Sequence, residues 1–285
     1  RAGKPIPCEK PLAMNLDQAD EMLAAVSASG TIAPVNFVLR YNAVTRTVKR
    51  IIDSGVLGQV LSARLTNGAS DSMLDPDHWF WDKKISGGIF VEHGVHFFDF
   101  YNSLLGNGNV IDAHTDVRLG TTQEDRVMCT VKHDSGAIVN HYHGFDQPAV
   151  MDRTTHHLLC ELGDMRIDGW IPLELRIDAA VDDNGAEQFG DICPGAQIDV
   201  VETFDPARGS LPSRGIPRQV TKRIRLHYVP QADKQTVYAD SVKDLLTDQI
   251  AYIIDNTHNR EIDESNGRTA LALAQQACRL AGASQ

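Results

Sequence analysis

The chain has 285 residues, 42% hydrophobic and 23% charged, which is the composition of a soluble globular protein with room for one large domain or two ordinary ones. A formal charge of −11 argues against a nucleic-acid partner, and no apolar run approaches the ~20 residues needed to cross a bilayer, so no membrane partner is expected either. The five cysteines, Cys8, Cys129, Cys160, Cys193 and Cys278, are scattered and form no CxxC pair. They read as small buried apolar residues in a reducing, cytoplasmic setting.

In chain order, "PCEKPLAMN" (residues 7–15) places Lys10 between two prolines just before a helix start. Asn15 with Gln18 resembles a capping box, Leu16, Ala19, Leu23 and Val26 follow helical spacing, and Gly30 suits a left-handed stop. The run "APVNFVLRY" (33–41) has strand composition. Strand, helix, strand predicts a βαβ unit with its two strands parallel. A second helix follows in "AVTRTVKRIIDSGVLG", with Val44, Val48, Ile51 and Ile52 as its apolar stripe and Gly55 as its end.

From Gln59 onward the pattern changes to strands joined by turns: "VLSARLTNG", "VIDAHTDVRL", "DRVMCTVKHDSGAIVNHYHGF" and "HHLLCELGDMRIDGW". One helix, residues 88–105, interrupts them. This predicts a large antiparallel or mixed sheet with helices on one face. Residues 182–215 are rich in Gly, Pro and Asp without a period and read as a long excursion from the sheet. "VKDLLTDQIAYIIDN" and "NGRTALALAQQACRLAGAS" give two closing helices.

The densest chemistry lies in "GGIFVEHGVHFFDF" (87–100). On a helix Glu92 and His96 share one face, with Asp99 three further on. A carboxylate one turn from an imidazole can orient it, raise its pKa and make it a general acid or base. Gly87 and Gly88 would let a ligand approach the backbone. The plainer alternative is a solvent-facing Glu–His pair. Glu92, His93 and His96 could also be read as metal ligands, but adjacent helical residues diverge by about 100 degrees. His141 and His143 share one face of a strand and offer no second fixed cluster, so no metal is assigned. In "PDHWFWDKK" (76–84), His78, Trp79 and Trp81 could line a sugar or ring-shaped ligand, or anchor a loop through a buried indole.

Five segments in order resemble the Gfo/Idh/MocA family of NAD(P)-dependent oxidoreductases. They are "AGKPIPCEKPLAMNLDQADEML", "NFVLRYNAVTRTVKRIIDSGVLGQVLSARL", "FWDKKISGGIFVEHGVHFFDFYNSLLG", "LCELGDMRIDG" and "ESNGRTALALAQQA". The resemblance implies an α/β remnant of a Rossmann domain (1–42) followed by an α+β substrate-binding and oligomerisation domain (43–285) on a large open, mostly antiparallel sheet. It implies hydride transfer between NAD or NADP and a hydroxyl or carbonyl of a sugar, polyol or related small molecule. Lys10 then reaches substrate and nicotinamide ribose, with Glu9 and Pro11 beside it at the cofactor, and the Lys10–Pro11 bond is often cis in such segments. His96 becomes the base, and Glu92 stands where the family commonly has Asp. Arg40, Asn42, His78, Trp81 and His143 are assigned to the cleft wall.

The family's Gly-x-Gly-x-x-Gly loop does not occur, and the nearest look-alike, "GNGNV" at Gly106, lies between a helix and a strand. The expectation is therefore that roughly the first hundred residues of the dinucleotide domain are missing. The piece alone should then neither bind NAD(P) usefully nor turn over. The strand around Ile6 should be an exposed parallel edge, and the open sheet face should pair with another subunit in a homo-oligomer. The rival expectation is a non-catalytic ligand-binding or regulatory protein of the same fold; a metal-dependent hydrolase ranks behind it.

Overall fold

The strand-forming runs after Gln59 enter one sheet. In the computed structural model, which describes residues 3–205, 210–231 and 233–283, the strands are β1 (Val60–Ser70), β2 (Gly108–Val117), β3 (Glu124–His133), β4 (Ile138–Gln147), β5 (Arg153–Cys160), β6 (Gly163–Asp168), β7 (Glu174–Val181), β8 (Gln197–Thr203) and β11 (Lys222–Tyr228). They lie in the order β2-β3-β4-β1-β5-β6-β7-β11-β8, with β9 (Leu211–Ser213) and β10 (Ile216–Arg218) as a separate small hairpin. Only β1 and β4 run parallel; the other neighbours in the large sheet are antiparallel. The expected large, mostly antiparallel sheet is therefore present as a mixed one.

Alternation decides which face is covered. In β3, Val127, Cys129 and Val131 are buried while Met128 and Lys132 are exposed; in β4, Val139, His141 and His143 are buried while Ile138 and Asn140 are exposed. The covered face meets α4 (Val95–Leu105), which is buried nearly all round and contributes Phe97, Phe98, Phe100 and Tyr101 to the core. Burying one such ring contributes ~2 kcal/mol. Cys129, Cys160 and Cys193 are buried as expected, Cys8 and Cys278 are half-buried, and all five are free thiols.

Around this centre lie α1 (Leu16–Ser29), α2 (Ala43–Ser54), the short α3 (Lys83–Ser86), α5 (Asp183–Ile192), α6 (Lys234–Ile254) and α7 (Glu264–Ala283). Helix α1 has the expected ends: Asn15 Oδ1 accepts from Gln18 N, and Gly30 sits at φ 62°. Helix α7 packs against β2, α4 and α1. It approaches the opening segment at Gly267, where an added Cβ would lie 2.4 Å from Val35 and 3.1 Å from Leu12. Leu12, Val35, Phe37 and Tyr41 share one core cluster with Ala270, Leu271 and Ala274 of α7.

Three expectations need correction. Residues 33–41 are not a strand: a single parallel bridge joins Cys8 to Val35, and residues 38–41 form a 3-10 turn. The parallel direction holds, through Ile6 N–H to Ile32 O and Cys8 N–H to Pro34 O. Pro5, Pro7 and Pro34 lack donors, which stops the ladder from lengthening. Ile6 is exposed.

Residues 182–215 are not a structureless excursion. Asp182 caps α5 by accepting from Gly185 N, Phe189 anchors that helix in the core, and β8 closes the sheet edge; part of the stretch (206–209) lies outside the described residues. Finally, the helix expected over 88–105 opens with a π-helical turn, Phe90–Gly94, before α4 begins.

Candidate active site

The π-turn resets the geometry that a regular helix would have given. Glu92 does not orient His96. Its backbone carbonyl and its Oε1 both accept from Lys10 Nζ, each at 2.6 Å, with about a sixth of each side chain exposed. Lys10 arrives from the opening segment across a cis Lys10–Pro11 bond. Glu9 beside it is exposed and accepts from Asn36 Nδ2 at 2.9 Å, and Pro11 is half-buried. π-turns inside helices frequently mark functional sites, and this one places a carboxylate on a partly exposed ammonium.

His96 lies on the first turn of α4, 7% exposed, with its ring edge-on to Trp170 at 4.7 Å and to Phe37 at 6.1 Å. Burial first, then the nearby Lys10 charge, push its imidazole well below the ordinary histidine range. That reverses the expected upward shift, because the carboxylate meant to raise it is engaged by Lys10. The ring is neutral and free to accept a proton, and the same burial makes it a weaker base than a solvated histidine. His93 stacks on Trp170 at 5.7 Å and places Nε2 2.8 Å from Asn67 Oδ1, while Asn67 Nδ2 donates to Thr154 Oγ1. Burial, then His143, His96 and Lys10, hold His93 low as well.

The residues expected on the cleft wall mostly have other work. Arg40 forms a two-pronged ion pair with the buried Asp99, Nε to Oδ2 at 2.8 Å and Nη2 to Oδ1 at 2.7 Å, and also donates to Glu261 O. Asn42 is buried; its Oδ1 caps α2 through Val44 N and Thr45 N, and its Nδ2 donates to Pro172 O. Trp81 is a buried anchor, with Nε1 donating to Asp75 O and the Arg118 guanidinium 4.5 Å over its ring. His143 is wholly buried behind the site rather than lining it. His78 and Arg40 are half-buried and keep access to solvent; His78 Nδ1 accepts from Phe80 N. Gly87 and Gly88 do not open the backbone to a ligand: a Cβ on them would strike Val91 at 2.7 Å and Glu124 Oε1 at 2.9 Å.

Trp170, Asn67 and Thr154 were missed. Trp170 follows Gly169 in the turn after β6, and the Gly-Trp pair at a strand end was the available signal. Among the described residues no three His, Cys, Asp or Glu side chains are placed to hold a metal ion, and no helix is long and apolar enough to cross a membrane.

Residues 45–165 match the model of the GFO/IDH/MocA C-terminal domain. The chain's similarity extends to 1,5-anhydro-D-fructose reductase of Ensifer adhaerens, 31% identical over 152 residues that make up 51% of this chain and 44% of that protein. Myo-inositol 2-dehydrogenase of Thermotoga maritima is 26% identical over 48% of this chain and 42% of its own length. The chain thus spans less than half the length of these curated relatives. Among solved structures, levoglucosan dehydrogenase in complex with NADH and levoglucosan superposes with a TM-score of 0.73 at 19% identity, covering 100% of this chain and 73% of that one. The matched residues take in β1 to β5 and the π-turn with its helix, which hold Glu92 and His96; Lys10 lies outside them.

Proposed function

We propose that this chain forms the substrate side of an oxidoreductase that moves a hydride between NAD(P) and a hydroxyl or carbonyl of a sugar, polyol or related small molecule. The observation that carries this reading is Lys10 Nζ fixed on Glu92 beside the buried, neutral His96. The names of the relatives, an anhydrofructose reductase and an inositol dehydrogenase, and the NADH complex of the structural neighbour support the reaction class.

In this reading residues 1–42 belong to the dinucleotide-binding unit and residues 43–285 to the substrate domain. Glu9, Lys10 and Pro11 fit the nicotinamide end: they form a partly exposed rim ending in an ammonium. The pyrophosphate has no such fit, since the sequence holds no Gly-x-Gly-x-x-Gly. Turnover is therefore expected only where further residues supply that cradle. Nicotinamide, when bound, takes up or gives the hydride. His96 accepts the hydroxyl proton during oxidation and returns it during reduction, Lys10 holds the substrate oxygen, and Glu92 positions Lys10. Trp170 packs edge-on against the His96 ring and fixes its plane.

The uncovered sheet face, with Met128, Ile138 and Leu159 exposed among polar neighbours, supports association with a second copy. Five free thiols support a reducing, cytoplasmic setting. The test is a screen of the complete reading frame's product with both dinucleotides against a panel of sugars and polyols. Dinucleotide reduction by at least one is expected. Tight substrate binding with no turnover would instead favour a ligand-binding protein.

A further inference from the structure

A string of buried imidazoles runs from the candidate site into the core, and the function proposed above uses only its first member. Next to His96 and His93 comes His143, whose ring centre is 5.9 Å from that of His93. His141 follows 5.8 Å from His143, Tyr101 lies 5.2 Å from His141, and His133 lies 6.4 Å from Tyr101. His133 Nδ1 donates to Gly106 O at 2.8 Å, beside the exposed turn at Asp134, Ser135 and Gly136 that joins β3 to β4. The string therefore starts at the candidate site and ends under the surface at the opposite end of α4.

Its nitrogens are largely unmet. Among the described residues, Nδ1 of His96, Nε2 of His133 and both ring nitrogens of His141 and His143 have no hydrogen-bond partner. A neutral imidazole has one donor and one acceptor, so donors as well as acceptors are orphaned here. Buried polar groups are almost always satisfied by protein or ordered water, and cavities that stay empty are apolar. Neighbouring rings in the string make no direct N–H···N bond, and polar groups at such separations are commonly bridged by one water. With no three ligating side chains among the described residues placed for a metal, water is the partner that fits.

We propose that the His143–His141 string binds internal water and serves as a proton conduit between His96 and the surface turn joining β3 to β4. This rests on the reading of His96 as the acid/base. His93 is set for the same traffic: Asn67 Oδ1 accepts from its Nε2–H, which leaves Nδ1 as an acceptor. For oxidation, one proton leaves the substrate hydroxyl to His96. Each water, each imidazole and the Tyr101 hydroxyl, which is hydrogen-bonded to His156 Nδ1 at 3.1 Å, then takes a proton on one side and releases one on the other, and one proton emerges beside His133. No electrons move along the string, because the hydride carries the electron pair to nicotinamide.

Two measurements decide it. Diffraction at a resolution that orders internal water should place water within hydrogen-bonding distance of His141 or His143; a dry space around both rings overturns the proposal. In the product of the complete reading frame, His143→Phe and His141→Phe should lower kcat about tenfold or more, leave KM within about twofold, and change the solvent deuterium isotope effect on kcat. Should a Phe variant fail to fold, His143→Gln carries the same test, since an amide can bond water but cannot pass a proton onward. Loss of turnover in His96→Gln, with kcat and isotope effect unchanged in the His143 variants, overturns the conduit and leaves the acid/base reading intact. Retained turnover in His96→Gln overturns both.

Discussion

At the scale of single residues, the site depends on which charge meets which partner. Glu92 could have served His96 or Lys10, and the π-turn hands it to Lys10, so His96 stays neutral in a buried aromatic pocket. Replacing His96 with Gln should lower kcat by about 10²–10⁴ with little change in KM, read from steady-state kinetics of the complete reading frame's product. Asp99 tests the opposite kind of role. It is buried against Arg40, and Asp99→Asn would leave that guanidinium without its charge partner. Urea unfolding should then show a loss of ~3–5 kcal/mol; a loss under ~1 kcal/mol would mean that the pair is not buried as described. His96 drew notice because a histidine one turn from a carboxylate stands out in sequence, but the carboxylate is bound to Lys10 instead. The burial of Asn42, Trp81 and His143 and the ion pair of Arg40 with Asp99 were not legible, because polar or aromatic character looks the same in sequence whether a side chain faces a cleft, caps a helix or fills the core.

At the scale of elements, helix ends and apolar stripes were readable and irregular backbone was not. Asn15 and Gly30 bound α1 where capping chemistry put them. The π-turn at Phe90–Gly94 has no periodic signature, since it shifts a helix register by a single residue while leaving its composition helical. The strand expected over 33–41 failed for a local reason: Pro34 removes a donor, and the chain turns at residues 38–41 to deliver Arg40 to Asp99 and Asn42 to α2. Gly267 gives this scale its sharpest test. Gly267→Ala would drive a methyl into Val35, so a loss of ~1–3 kcal/mol is expected in chemical denaturation. Gly282→Ala in the same helix meets no atom within 4 Å and should be neutral or stabilising by up to ~1 kcal/mol. Equal effects from the two would contradict the described seating of α7.

At the scale of the whole molecule, the sheet was legible from the alternation of residues, but its one parallel pair, β1 with β4, was not. That pairing depends on a long-range crossover that no local pattern encodes. The fold also buries histidines in a way that couples stability to pH. Burial holds His143 and His156 down to about 3 from an ordinary 6.5, and His93, His96, His141 and His133 are lowered by the same cause. The unfolded chain takes up protons below about pH 6.5 while the folded chain does not. Stability is therefore complete above about pH 6.5 and falls with acidification, for His143 and His156 down to about 3, by at most ~1.4 kcal/mol per pH unit for each group. Urea midpoints taken from about pH 7.5 down to about pH 5 should decline steadily, and a flat profile would contradict neutral burial of the cluster.

The claim that joins these scales is that His96 and Lys10 serve hydride transfer, and isotope transfer tests it most directly. A polyol accepted by the complete reading frame's product, deuterated at the carbinol carbon, should deliver its label to the nicotinamide ring, detected by mass spectrometry of the reduced dinucleotide. His96→Gln should slow that transfer by about 10²–10⁴ while the protein remains folded. Oxidised product with no label in the nicotinamide, or undiminished transfer in His96→Gln, would contradict the account.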